Sequence, residues 1–394
     1  MAFQLSPGVN VSEIDLTTIV PAVGASTGAI AGELAWGPIN EVVTIGNEVQ
    51  LAERFGKPDS NTYLTFFSAA NFLAYGNNLK VVRAANTSVA KNATSGTERI
   101  LIANQSQYVD EYLDLSAAAN VGMFAARYAG NLGNSLSVGF LANGSIFSSW
   151  AYSEEFDSAP ATSVNAGLVG GANDEMHIIV LDQGGAFTGR ANTVLEKYAY
   201  VSKASDATND DGSSNYYVNV INDRSKYIYI TNHANNSNWG LTASNTTFTP
   251  GDNATANGAS LSGGNAGRPT DANIISGYDK FVNPEEIDVS LIITGAATQT
   301  VSEYVVDNIA ETRKDCVAFV SPEFSDCVNN AGDEVTDIVS YRNNFNSSSY
   351  AFLDSGWKYQ FDKYNNVYRW IPLNGDIAGL CVRTDTTRDP WFSP

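Results

Sequence analysis

The feature that most constrains this chain is the run from Ser355 to Pro394. Trp357, Tyr359 and Phe361 alternate at period two, the signature of a strand. Asp362 to Asn366 is polar and Asn-rich, as a hairpin turn requires. Val367 to Ile371 then reads as the return strand, stopped by Pro372, which has no N–H for a ladder. Asn374 or Asp376 is placed to cap a helix whose apolar residues are Ile377, Ala378, Leu380, Cys381 and Val382, and Asp385 to Pro390 ends it. A hairpin that feeds directly into a helix needs a larger body to pack on, because a lone two-stranded ribbon is barely stable in water.

The rest of the chain supplies that body. Thr27 to Gly37 reads as a buried strand ending in a turn at Gly37-Pro38, and Val42 to Ile45 as a second strand. Asn47 caps a helix over Glu48–Phe55, ended by Gly56. Thr62 to Tyr75 is the clearest helix, with Leu64, Phe67, Ala70, Asn71 and Ala74 on one face; Leu79 to Ala84 is a buried strand. After a long interruption the alternation resumes. Helices are expected over 273–280, 301–313 and 333–342, and strands over 287–294, 316–320 and 349–353. Strands alternating with helices indicate an α/β core with mixed α+β character.

The interruption has two parts. Asn86 to Asn120 is polar with few apolar anchors and reads as a crossing segment. From Met123 to Ile230, strands are expected over 136–141, 177–181, 216–221 and 227–230, and Thr193 to Tyr198 reads as a strand or short helix. Asp206 to Ser214 is a solvated turn, and Asn232 to Pro269, rich in Asn, Gly, Ser and Thr, reads as a long surface loop. The organisation expected is an extended arm over 1–22, a core domain over 23–85 and 266–394, and an inserted β-rich domain over 86–265. In the arm, Val9 and Val11 hold period two and Ile14 and Leu16 follow after a slip of one residue, a bulged extended segment. Such a segment has to pair with a sheet, its own or a neighbour's. Burying Val9, Val11 and Ile14 would contribute ~1.5–3 kcal/mol each, against ~1–2 kcal/mol per residue for ordering the backbone.

Composition narrows the function. The chain has 394 residues, 43% of them hydrophobic and 16% charged, with 42 acidic and 22 basic side chains and a net charge of −20. That balance argues against binding nucleic acid by phosphate neutralisation. No run of 18 apolar residues suggests a membrane span, and the N-terminus lacks the basic and apolar regions of a secretory signal. Three cysteines, Cys316, Cys327 and Cys381, form no CxxC pair and fit a reducing compartment, with Cys316 and Cys381 packing as small hydrophobes. The sequons at Asn86, Asn104, Asn143, Asn235, Asn245 and Asn346 then reflect only abundant Asn, Ser and Thr.

Catalytic signals are weak. The two histidines, His177 in a strand and His233 in a loop, have no metal-ligand spacing. Ser262-Gly263-Gly264 lacks the GK[ST] of a phosphate loop and reads as a tight turn. Glu154-Glu155 and Glu285-Glu286 are adjacent pairs, which point apart in a strand and serve poorly as acid and base. No catalytic residue, cofactor or metal ligand is assigned.

YQFDKYNNVYRWIPLNGDIAGLCVRTD with the closing WFSP, GAIAGELAWGPINEVVTI followed by AANFLAYGNNLKVVRA, and LSPGVNVSEID resemble the tail sheath proteins of contractile-tail bacteriophages. RYAGNLGNSLSV, VLEKYAYVS, YYVNVINDRSKYI and the LSGG junction at Leu261 resemble that family more loosely. The resemblance implies a structural subunit that forms a helical homopolymer around a tail tube protein, with baseplate and tail terminator proteins as further partners. It implies a place in the virion tail, reached from the host cytoplasm, and an N-terminal arm that links neighbouring subunits. It implies that the outward β-domain of larger relatives is absent or vestigial here. It also implies a C-terminal domain beyond Pro394, without which the chain as given is expected to polymerise poorly. The alternatives are a sheath of a bacterial contractile injection apparatus, a virion adhesin binding glycans through Trp239 and Trp370, against which the place of Trp370 in a core hairpin argues, and an enzyme, for which no constellation is found.

Overall fold

The computed structural model describes residues 26–115, 117, 119–233, 238–250, 259–388 and 392. Strands β1 (Gly28–Gly32), β2 (Val42–Ile45) and β3 (Leu79–Arg83) come first, with helices α1 (Glu48–Phe55) and α2 (Tyr63–Leu73) between them. Next are α3 (Gln105–Glu111), β4 (Phe124–Ala126), β5 (Leu136–Leu141), the short α4 (Val164–Leu168), β6 (Glu175–Asp182), β7 (Thr193–Ser202), α5 (Tyr217–Arg224), β8 (Ile228–Ile230) and β9 (Ala259–Ser260). The chain continues with α6 (Asp271–Tyr278) and β10 (Leu291–Ile293), then a helix in three parts: α7 (Gln299–Tyr304), a π-helical stretch Val305–Ala310, and α8 (Glu311–Arg313). It closes with β11 (Val317–Val320), α9 (Phe324–Cys327), α10 (Glu334–Asn344), β12 (Ala351–Leu353), the hairpin β13 (Trp357–Asp362) and β14 (Val367–Pro372), and α11 (Asn374–Thr387).

One six-stranded sheet runs in the order β12-β11-β10-β1-β3-β2. All its pairs are parallel except β2 with β3. Strand β1 lies between β3 and β10, so segments on both sides of residues 84–270 interleave in one sheet. Period-two geometry sends Ile30, Val81 and Ile293 to one face, into a core with Phe66 and Phe72 of α2 and Val382 of α11. Ala29, Val82 and Ile292 face the other way, packing with Tyr278, Val305 and Ile309. A parallel sheet covered on both faces explains why these strands read as continuous apolar runs. The small residues of β1 have a packing reason: a Cβ at Gly28 would sit 2.5 Å from the Phe72 ring. The α/β reading of the sequence, with mixed helices and strands, holds.

A second body contains the antiparallel sheet β7-β6-β5-β9 and the pair β4-β8. Its core gathers Phe124, Val138, Ile178, Val180, Tyr217 and Ile221. Trp36, from the turn after β1, belongs to this core and meets Tyr128 and Phe187 edge-on at 5.4 and 5.2 Å.

Four expectations are corrected. Tyr216 to Ile221 is not a strand but most of α5; its outward residues, Asn219 and Asp223, recur four apart, and burial of Tyr217, Val218 and Ile221 outweighs their β propensity. The crossing segment carries α3, capped by Asn104, and is anchored by the fully buried Ile102 and Tyr108. In the supposed surface loop, residues 238–250 fold back to bury Trp239 and Phe248, and β9 joins the antiparallel sheet. Neither Asn374 nor Asp376 caps α11; Leu373 holds the cap position, and both side chains have tertiary partners instead.

Candidate assembly surface

The sequence-predicted arm residues Val9, Val11, Ile14 and Leu16 lie outside the described residues. Just before β1 the chain is held at two points. The Ser26 hydroxyl donates to the Asp385 carboxylate on α11, and the Thr27 N–H donates to Ser290 Oγ at 2.9 Å. The first strand of the sheet therefore starts beside the last helix.

The hairpin shows how that end of the molecule is built. Cross-strand pairing puts Trp357, Tyr359, Phe361, Tyr368 and Trp370 on one face, and Lys358, Gln360, Asp362, Arg369 and Ile371 on the other. The second set faces the body. Ile371 is fully buried with Phe66 and Phe72. Arg369 lies over the Tyr63 ring at 4.4 Å and donates to the buried Asp362 at 2.9 Å. Asp362 also accepts from the Tyr364 and Asn365 N–H groups and from the Asn365 amide. Burial pushes its carboxyl up, but these bonds outweigh burial and hold its pKa below the ordinary value. Lys358 pairs with Asp376 at 2.7 Å, and Lys363 reaches back to Glu48 at 2.9 Å. Lys358, Asp362 and Arg369 thus turn toward the body in pairs, the turn residue Lys363 lies exposed against Glu48, and the aromatic face points out. Trp370 is correspondingly half-buried rather than a core residue.

α11 closes the α2 side of the sheet. Its Gly375 allows contact with the α2 backbone, since a Cβ there would lie 2.2 Å from the Ser68 carbonyl oxygen. Asn374 donates its amide to the Gly295 carbonyl at 2.7 Å, beyond the end of β10.

The candidates for chemistry resolve as packing. His177 is fully buried, stacked on Phe156 at 4.3 Å. Its Nδ1 accepts from the Tyr200 N–H, which leaves Nε2 to donate to the Ser158 carbonyl at 2.8 Å; burial lowers its pKa and the ring is neutral. His233 bonds to the Tyr217 hydroxyl, and burial lowers its pKa too. Gly263 has φ +77°, and a Cβ at Gly264 would lie 2.4 Å from the Gly130 carbonyl oxygen, so Ser262-Gly263-Gly264 is a filled turn. Glu154 and Glu155 sit in a short 3-10 turn, not a strand, and Glu155 pairs with Lys197 at 3.1 Å. Cys316 is buried, Cys327 and Cys381 are half-buried, and all three are free thiols. Trp239 is buried against Phe140 and Tyr217, so it offers no surface for a glycan. Among the described residues no group of His, Cys, Asp and Glu is placed to hold a metal ion, and no helix is long and apolar enough to cross a membrane.

The described residues therefore present an α/β body, a second β-rich body and an exposed aromatic face on the closing hairpin. Comparison with known proteins gives the class. The family model described as Tail sheath protein Gp18 domain III N-terminal region matches residues 26–84, the stretch holding β1 to β3 with α1 and α2. Tail sheath proteins are also similar along nearly the whole chain. That of Vibrio phage KVP40 is 27% identical, covering 99% of this chain and 75% of the relative. That of Enterobacteria phage T4 is 28% identical, covering 99% and 74%, and that of Salmonella phage ViI is 24% identical, covering 100% and 72%. Over nearly its whole length the chain is thus similar to proteins named as tail sheath proteins of bacteriophages. Two solved sheath tail proteins also match. The one from Listeria innocua has a TM-score of 0.47 at 12% identity, over 91% of this chain and 56% of its own. The one from Desulfitobacterium hafniense has a TM-score of 0.44 at 13% identity, over 96% and 62%. The chain spans less than two thirds of the length of either solved protein.

Proposed function

We propose that this chain is a subunit of a contractile phage tail sheath. It polymerises helically with copies of itself around the tail tube, between baseplate and tail terminator, and contraction drives the tube through the host envelope for genome delivery. The observation that carries this reading is the similarity to tail sheath proteins of three phages over 99% or more of the chain. The subunit assembles in the host cytoplasm and works in the virion tail. Its division is an arm over 1–22, a core over 23–85 and 266–394, and an insertion over 86–265. The interleaving of β1, β3 and β10 supports one core made from two chain segments.

The physics agrees with this role. Contacts that repeat head to tail without closing generate helical filaments. A contracting lattice needs units that move as bodies while links between them persist. In this reading Val9, Val11, Ile14 and Leu16 form the link, adding a strand to a neighbour.

The test is electron microscopy of the gene product with its tail tube and baseplate, beside a version lacking residues 1–20. Sheathed tubes with the first, and folded monomers without tubes with the second, are expected. A gene product that stays solitary beside tube and baseplate overturns the reading. An arm-deleted protein that is unfolded instead places the arm in its own domain.

A further inference from the structure

In the closing hairpin the aromatic face is the exposed one, and the face bearing Lys358, Asp362 and Arg369 is turned to the body. Tyr359 and Tyr368 are each 59% exposed, Phe361 is 44% exposed, and Phe324 of α9 extends the row at 40%. The rings touch in sequence: Phe361 to Tyr368 at 5.2 Å, Tyr368 to Tyr359 at 5.2 Å, Tyr359 to Trp370 at 5.1 Å and Trp370 to Phe324 at 6.4 Å. The ladder is rigid, because the inward face of the same ribbon is locked by Ile371 and the Arg369–Asp362 pair.

We propose that this ladder is a docking face for a second copy of the same chain. Two observations select that occupant. The first is charge. Each copy carries −20, which in general keeps copies apart, so a contact between them is tolerated best at a face that adds no further like charge. No ladder position carries a charge, and the nearby cations Lys358, Lys363 and Arg369 are each already matched to Asp376, Glu48 and Asp362. A strongly charged partner therefore gains nothing from the ladder itself, while an acidic copy loses nothing. The second is area. With about 200 Å² per ring, the stated exposures leave on the order of 400 Å² of contiguous aromatic surface. That is roughly half of what each partner gives to a standard interface, and enough for the central anchor cluster that carries most of the binding. The inference rests on the polymerising role proposed above and names the surface that serves it.

The test uses the full chain with Tyr359→Lys and Tyr368→Lys together, and as a control Val164→Lys with Leu168→Lys on α4, two residues that are 79% and 82% exposed elsewhere on the molecule. Circular dichroism first establishes that each variant is folded. Sedimentation velocity over a concentration series, with and without tail tubes, then reads association. The ladder variant is expected to need at least about tenfold more protein than wild type or the control to associate. In parallel, a photo-cross-linking benzoylphenylalanine at position 359 is expected to join two copies of this chain. Ladder variants that associate like wild type, equal loss in both variants, or cross-links only to a different protein overturn the inference and leave the sheath reading standing. A wild-type chain that stays monomeric throughout, with tubes present, overturns both.

Discussion

Arg83 donates from Nη2 to the carbonyl of Ala129 at 2.7 Å, and so ties the end of β3 to the segment that follows β4. Its Nη1 donates to the Gly37 carbonyl at 2.8 Å. The residue is 1% exposed, and among the described residues no carboxylate pairs with it directly; burial brings its pKa down to about 10, which leaves it charged at neutral pH. Two backbone carbonyls from different parts of the fold thus share one buried cation.

Arg83→Met is expected to destabilise the protein by about 2–4 kcal/mol, because each abandoned buried acceptor costs ~1–3 kcal/mol and the removed charge returns part of that. Arg83→Lys is expected to recover less than half, since a single ammonium lacks the planar fork that spans both carbonyls. Urea unfolding midpoints check both, and hydrogen exchange around Ala129 is expected to rise in the Met variant. Wild-type stability in Arg83→Met would show that the two bodies are held by apolar packing alone.

Elements of both sheets were legible in the sequence. Val42–Ile45, Leu136–Leu141 and the Asn47-capped Glu48–Phe55 lie where patterning puts them, because local preference and burial agree there. Elsewhere, tertiary contact decided. Residues 216–221 alternate like a strand but are buried as a helix. Trp239 and Phe248 are isolated in an Asn- and Thr-rich stretch, so composition hid two anchors that the fold buries in separate clusters, Trp239 with Phe140 and Tyr217 and Phe248 with Ala166 and Ala243. Period two revealed both faces of the hairpin but not which one is buried. The aromatic face has the stronger hydrophobic signal, yet Asp362 and Arg369 can be buried because each satisfies the other, a pairing that alternation cannot reveal.

Asp354 predicts a pH signature. Burial pushes its carboxyl up to about 6, against the lowering effect of bonds from the Ser321 hydroxyl and the Gly356 N–H. Unfolded, the same group titrates near 3.9. Between those values the folded state binds more protons, so this group's contribution falls as pH rises from about 4 to 6 and stays lost above. Asp354→Asn removes the titration. The stability difference between variant and wild type is expected to shift in the variant's favour by on the order of 2 kcal/mol between pH 4 and pH 7. Denaturant unfolding at four pH values measures it, and a difference independent of pH would refute the assignment.

The three thiols predict slow chemistry. Burial pushes Cys316 and Cys327 up to about 11, and it raises Cys381 as well. Only the thiolate attacks, so at pH 8 Cys316 and Cys327 in the native protein are expected to react with Ellman's reagent on the order of a hundredfold more slowly than a free thiol. In urea all three are expected to react at once. A fast native phase would identify a thiol that the fold leaves open.

Gly375 and Gly379 on α11 separate backbone from side-chain crowding. By helix propensity alone, alanine at either position would gain up to ~1 kcal/mol. At Gly375 the new methyl would lie 2.2 Å from the Ser68 carbonyl oxygen, part of the α2 backbone, which cannot yield without moving the helix. At Gly379 the nearest atom, 2.5 Å away, belongs to the ring of Tyr75, a side chain that is 37% exposed and able to swing outward. Gly375→Ala is therefore expected to cost roughly 1–3 kcal/mol, the usual penalty of overpacking, while Gly379→Ala stays within about 1 kcal/mol of wild type. Thermal or urea unfolding of the two variants ranks them. Equal effects at the two positions would mean that α11 shifts as a whole on α2, and that the hairpin leading into it is less firmly seated than the Asp362–Arg369 pair implies.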